Sequence, residues 1–116
     1  MIRFVYVDSP YTLGDVAVNV RASIDAADVL AVNGLVPCSP LLCHFWHLVH
    51  PHEYQFWIDQ TLAWLERCDA VLRLPGESAG ADAEVRRAAQ LGMPVFHSLD
   101  ELLGYVAHQR ALALGP

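Results

Sequence analysis

The chain has 116 residues, of which 54% are hydrophobic and 17% charged, and its net charge is −6 with histidine neutral. That length suits one domain, residues 1–116, around one core, and the composition excludes a disordered chain. The negative balance leaves no electrostatic footprint for nucleic acid or an anionic membrane, and no apolar run approaches the roughly 20 residues of a membrane span.

The elements follow in order. "IRFVYVDS" (2–9) is a β-rich run ending in turn residues and predicts a strand. Residues 14–34 repeat apolar positions at helical spacing and stop at Asn33-Gly34, a helix end. Residues 35–40 are extended and closed by prolines. A helix is expected over 52–68 and a strand over 69–75, ended by Pro75-Gly76. A second loop-helix unit covers 80–92, a last strand 93–98, and a closing helix 99–114. Strict alternation of strand and helix calls for a parallel sheet covered on both faces. The expected fold is a single-domain α/β Rossmann-like or flavodoxin-like three-layer sandwich with four or five parallel strands. Ligands of such sheets bind beyond the carboxyl ends of the strands. The loops at 8–14, 39–51 and 75–80 are therefore the candidate site.

The opening "MIRFVYVDS" lacks the pattern of a secretory leader, and a cytoplasmic protein is expected. Cys38, Cys43 and Cys68 are an odd, sparse set, expected as buried free thiols rather than a disulfide framework. The apolar excess suggests surface buried between subunits, so a homodimer or larger homo-oligomer is expected.

"PGESAGADAEVRRA" (75–88) is a loop of small residues running into a helix. Gly76 and Gly80 let the backbone bend close to a ligand. Ser78 is placed to cap the helix or to hold an anionic oxygen at its positive end. No GK[ST] follows and no GxGxxG occurs, so neither phosphate-binding fingerprint is present. Glu84 falls at the edge of the apolar stripe Ala81, Val85, Ala88 and Ala89. It has two readings, a dipole partner that pairs with Arg87 or a reactive carboxylate aimed at the strand ends.

Three blocks bear on that choice: "VYVDSPYT" (5–12), "LAWLERCDAVLRLPG" (62–76) and "SAGADAE" (78–84). In order and spacing they resemble the nucleoside 2-deoxyribosyltransferase superfamily, which includes the 2-deoxynucleoside 5-monophosphate N-hydrolases. The resemblance runs from the first strand to Phe96. It implies an N-glycosidic bond enzyme acting on nucleosides or nucleoside 5-monophosphates, by deoxyribosyl transfer or hydrolysis, with no cofactor. Glu84 would attack C1 of the sugar, and Tyr6 would orient it. Ser78, with Ser9, would contact the phosphate or sugar. Gly80 belongs to the same binding loop, and Tyr11 is the alternative to Tyr6.

The superfamily's second carboxylate maps onto Thr61, eight residues before Asp69. Asp59, about 200° further around the helix, is the substitute acid. The loss supports an alternative, a catalytically silent nucleotide-binding or sensor protein. "HFWHLVHPHEYQFW" (44–57) adds His44, His47, His50 and His52. His44, His47 and His50, spaced by three, could share one helical face and bind zinc or nickel, a third and weaker reading. No carboxylate or cysteine completes a metal-ligand set with them, and no metal is expected. They read as histidines of a segment closing over the ligand, with His44 or His47 stacking on a base or standing in for the acid.

Overall fold

The computed structural model describes residues 1–115. It has four strands, β1 (Phe4–Asp8), β2 (Val36–Cys38), β3 (Ala70–Arg73) and β4 (Val95–Phe96), among the described residues. Five helices connect and close them: α1 (Val16–Val32), α2 (Cys43–Val49), α3 (Tyr54–Leu65), α4 (Ala79–Gln90) and α5 (Leu99–Leu114). The strands are all parallel, in the order β2-β1-β3-β4. This is the expected α/β sandwich with four strands.

The order reverses at β1. The chain leaves β1 toward β2, then crosses back to lay β3 on the other side. Neighbouring strands at such a switch point open a crevice beyond their carboxyl ends. Here those ends are Asp8 and Arg73, which pair in register.

Alternation along β1 divides its side chains between two faces. Val5 and Val7 join Leu72 on one face, against Ala26 and Leu30 of α1 and Leu102 and Val106 of α5. Tyr6 joins Val71 on the other, against Leu65 of α3 and Ala88 of α4. Leu30, Leu65, Leu72 and Leu102 are wholly buried, each worth about 1.5–3 kcal/mol of transfer from water. Asp69 stitches the α3–β3 turn to the start of β1, accepting from the backbone N–H of Arg3 at 3.0 Å and of Phe4 at 2.8 Å.

The segment expected as a loop over 39–51 contains a 3-10 turn, Pro40–Leu42, followed by α2. Neither has a side-chain cap. What holds α2 is aromatic packing on α3: Trp46 stands edge-on to Trp57 at 4.9 Å and to Phe56 at 5.8 Å between centroids. Phe56 and Trp57 are half-buried in this packing. Tyr54 and Trp64 remain exposed. The cysteines are free but half-buried, less enclosed than expected. No helix among the described residues is long and apolar enough to cross a membrane.

Candidate functional site

A cavity of about 490 Å³ opens beyond the carboxyl end of β1, within the range of about 300–1,000 Å³ that suits small ligands. The loop after β1 supplies Asp8, Ser9 and Tyr11. The β2 connection supplies His44 and His47, α3 supplies Trp57 and Thr61, and the start of α4 supplies Ser78, Gly80 and Glu84. All three loops singled out in the sequence meet here. Glu84, Thr61 and Gly80 also border a smaller cavity of about 270 Å³ between α3 and α4.

Local structure explains each placement. Ser78 begins α4, its Oγ accepting from Ala81 N at 3.1 Å. The cap fixes where the helix starts, and Glu84 then falls in its second turn. Arg87 does not pair with Glu84, bonding instead to Glu66 at 3.0 Å. The dipole-partner reading of Glu84 loses that support. Within the apolar stripe, Ala81 and Ala88 are buried, whereas Ala89 is exposed. Gly76 has φ +120°, and a Cβ there would sit 2.8 Å from Pro10 Cγ. The β1 and β3 loops meet at that point because residue 76 has no side chain.

Tyr6 is wholly buried beneath the cavity, and its hydroxyl lies near Glu84, Asp8 and Thr61. Burial raises the Tyr6 hydroxyl far above its usual range, and the Glu84 charge adds to the effect. Burial likewise raises Glu84, while Tyr6, Asp8 and the Arg73 charge draw it part of the way back. Tyr6 Oη, Asp8 Oδ2 and Glu84 Oε2 are nevertheless buried without a completed hydrogen bond among the described residues. Three polar atoms left so cost more than a paired site would. They mark a place built for something other than stability.

Asp8 is the functional candidate that sequence reasoning missed. It is 1% exposed and lines the cavity floor. Burial, then the Glu84 charge, push its carboxyl up to about 9, against the pull of Arg73. The Arg73 Nε lies 4.0 Å from Asp8 Oδ2, but that guanidinium is mostly committed elsewhere. It bonds the carbonyls of Leu74 and Gly76 and, at 3.2 Å, Asp82. The signal was present in the sequence, since period-two alternation puts Asp8 on the face of Tyr6 at the strand's carboxyl end.

The other expected residues separate into two groups. Ser9 is buried and donates to the Pro10 carbonyl at 3.1 Å. Tyr11 Oη meets His44 Nδ1 at 2.5 Å, closing one wall. Thr61 is buried, with Oγ1 donating to the Ile58 carbonyl at 3.3 Å. Asp59 is not brought to the site. It is exposed, accepts from Gln55 Nε2 at 2.8 Å, and does not line the cavity, whereas its neighbours Ile58 and Thr61 do. His47 Nδ1 accepts from Trp57 Nε1 at 2.8 Å, so its proton sits on Nε2. His50 does not reach the cavity, and no cluster suited to a metal occurs among the described residues.

Comparison with known proteins agrees with this architecture. Among solved structures, the chain is similar to a 2-deoxyribosyltransferase from the psychrotolerant bacterium Bacillus psychrosaccharolyticus. The two share 20% identity at a TM-score of 0.59, over 79% of this chain and 69% of that one. At that identity the likeness is one of fold, which is where the resemblance seen in the sequence holds. No curated protein matches. A family model described as a domain of unknown function, DUF7768, matches residues 3–98, and the chain belongs to that family.

Proposed function

We propose that this protein cleaves or transfers across the N-glycosidic bond of a nucleoside or nucleoside 5-monophosphate, with Glu84 as nucleophile and Tyr6 as its orienter. The observation that carries the reading is a half-buried carboxylate, close to a buried tyrosine hydroxyl, at the wall of a ligand-sized cavity on the switch point of the sheet. Likeness of fold to a 2-deoxyribosyltransferase supports it.

The chemistry follows from the groups present. A Glu84 oxygen attacks C1 of the sugar as the C1–N bond breaks, and its electron pair leaves with the base. The base takes a proton from solvent. The transition state is cationic at the sugar, so an adjacent carboxylate stabilises it before the bond forms. Water then attacks C1, the C1–Oε bond breaks, Glu84 regains its charge, and the proton of water returns to solvent. A second base in place of water gives transfer. Ser9 and Ser78 are the phosphate or sugar contacts, and the hydroxyl proton of Ser78 remains free to donate while its oxygen caps α4. His44 and Trp57 offer ring faces to a base.

The test is release of free base from a panel of deoxynucleosides and their 5-monophosphates, with and without a second base. Glu84→Gln should lower release by at least about 1,000-fold. Release that survives Glu84→Gln would remove Glu84 from the chemistry. Absence of release from every substrate, with nucleotides still raising the melting temperature, would make the protein a nucleotide binder.

A further inference from the structure

Two carboxylates, Asp8 and Glu84, line the same cavity. The Tyr6 hydroxyl lies near Glu84 and Arg73 Nε lies 4.0 Å from Asp8 Oδ2, yet each acid keeps a buried oxygen without a completed hydrogen bond. Asp8 Oδ2 and Glu84 Oε2 are both buried and unpartnered among the described residues. A carboxylate oxygen only accepts, so two of them can satisfy each other only if a proton lies between. Two like charges at this depth would repel strongly, as in carboxylate pairs that hold a single proton. The surroundings decide which partner keeps it. Asp8 is the more enclosed, 1% exposed at the end of β1, whereas Glu84 is half-buried at the cavity wall.

We infer that Asp8 is held neutral and donates its proton to Glu84, so that the pair carries one negative charge and Asp8 is the positioning residue that selects which Glu84 oxygen faces the ligand. Asp8 keeps its proton throughout, and no bond to it forms or breaks. The donated hydrogen bond turns one Glu84 oxygen away and leaves the other free. The charged groups facing Asp8 are Glu84 and Asp82 from α4, Arg73 from β3, and the Tyr6 hydroxyl on its own strand. The two acids favour the neutral form. Arg73 opposes it but is shared with Asp82 and two backbone carbonyls. The consequence for turnover rests on the reading of Glu84 as nucleophile, but the location of the proton does not.

The experiment is therefore in two parts. Infrared difference spectra of the whole protein at neutral pH, in heavy water, should show the carbonyl stretch of a protonated carboxyl shielded from solvent. That band should vanish in Asp8→Asn. No such band in the wild type, or a band that survives Asp8→Asn and vanishes in Glu84→Gln, would overturn the inference. This result is obtained whether or not the protein releases base, so failure of the functional reading is told apart from failure of this one. In turnover, Asp8→Ala should lower kcat by about 10- to 100-fold, the value of a hydrogen bond to a charged group. Asn donates through its amide, so Asp8→Asn should recover part of that loss. It should also remove the fall in rate at alkaline pH that ionisation of Asp8 causes in the wild type. An Asp8→Asn variant as impaired as Asp8→Ala, with the alkaline fall unchanged, would overturn the positioning role.

Discussion

The indole of Trp57 donates to His47 Nδ1 at 2.8 Å and joins the two helices that wall the candidate site. His47 also receives a longer bond from His52 N at 3.3 Å, so this ring is the hinge pin between α2 and the start of α3. With no side-chain cap on α2, the bond has few substitutes. Trp57→Phe keeps most of the aromatic contact and deletes the donor. It should cost about 1 kcal/mol in urea denaturation. It should also weaken ligand binding more than Trp64→Phe, a change at an exposed position on the same helix. Equal effects of the two substitutions would mean that the bond does not hold the wall.

The raised carboxyl of Asp8 has a consequence for stability. An unfolded Asp8 ionises near 3.8, while the folded one keeps its proton to about 9. Between those values the unfolded chain has released a proton that the folded chain retains, so stability falls as pH rises. Asparagine does not titrate. Asp8→Asn should therefore melt higher than the wild type at about pH 8, with the gap closing toward about pH 4. Each kcal/mol regained corresponds to about 4–8 °C for a domain near this size. Thermal melts across that range check the sign, and a gap that widens toward acid would contradict it.

Much of this was legible in the sequence. Apolar period and turn residues placed every strand and four of the five helices, because those segments are decided by local signals. The loops after the strands are legible as the candidate site, and Glu84, Ser78 and Thr61 line its cavity with Tyr6 buried beneath it. What the sequence hid depends on distance across the fold. The helix α2 has no cap to announce it and stands on rings ten residues away. Asp8 looks like a turn residue at a strand end, and only the return of β3 to its side, bringing Arg73 into register, shows it as a buried acid. Asp59 and Thr61 are two residues apart on one helix. Burial alone separates them, and burial is set by what α4 and β1 present.

Gly76 joins the β1 and β3 loops at the mouth of the switch point. Its φ of +120° is a region that side chains avoid, and a Cβ would meet Pro10 Cγ at 2.8 Å. Both terms oppose any substitution. Gly76→Ala should cost about 1–3 kcal/mol from backbone strain alone. The carbonyl of Gly76 also holds Arg73, so the change should disturb the floor of the site beyond its effect on stability. Gly92→Ala also places a side chain at positive φ, but with nothing within 4 Å. Denaturation of both variants compares a crowded positive-φ position with an open one at φ +70°. Gly76→Ala no worse than Gly92→Ala would show that Pro10 yields.

Ser78 combines two roles that substitution can divide. As the cap of α4 it satisfies Ala81 N, and Ser78→Ala should cost about 1 kcal/mol of stability. Aspartate caps as well as serine, so Ser78→Asp should restore the melting temperature. It also sets a negative charge at the lip of a cavity that already holds Asp8 and Glu84, with no arginine among its lining residues. A ligand that presents a phosphate to this helix end would be repelled, and an uncharged nucleoside would not. Titration of Ser78→Asp with a deoxynucleoside and its 5-monophosphate therefore reads the phosphate directly. Selective loss of the monophosphate would place its charge at α4. A preference for the monophosphate that is unchanged in Ser78→Asp would place the phosphate contact elsewhere.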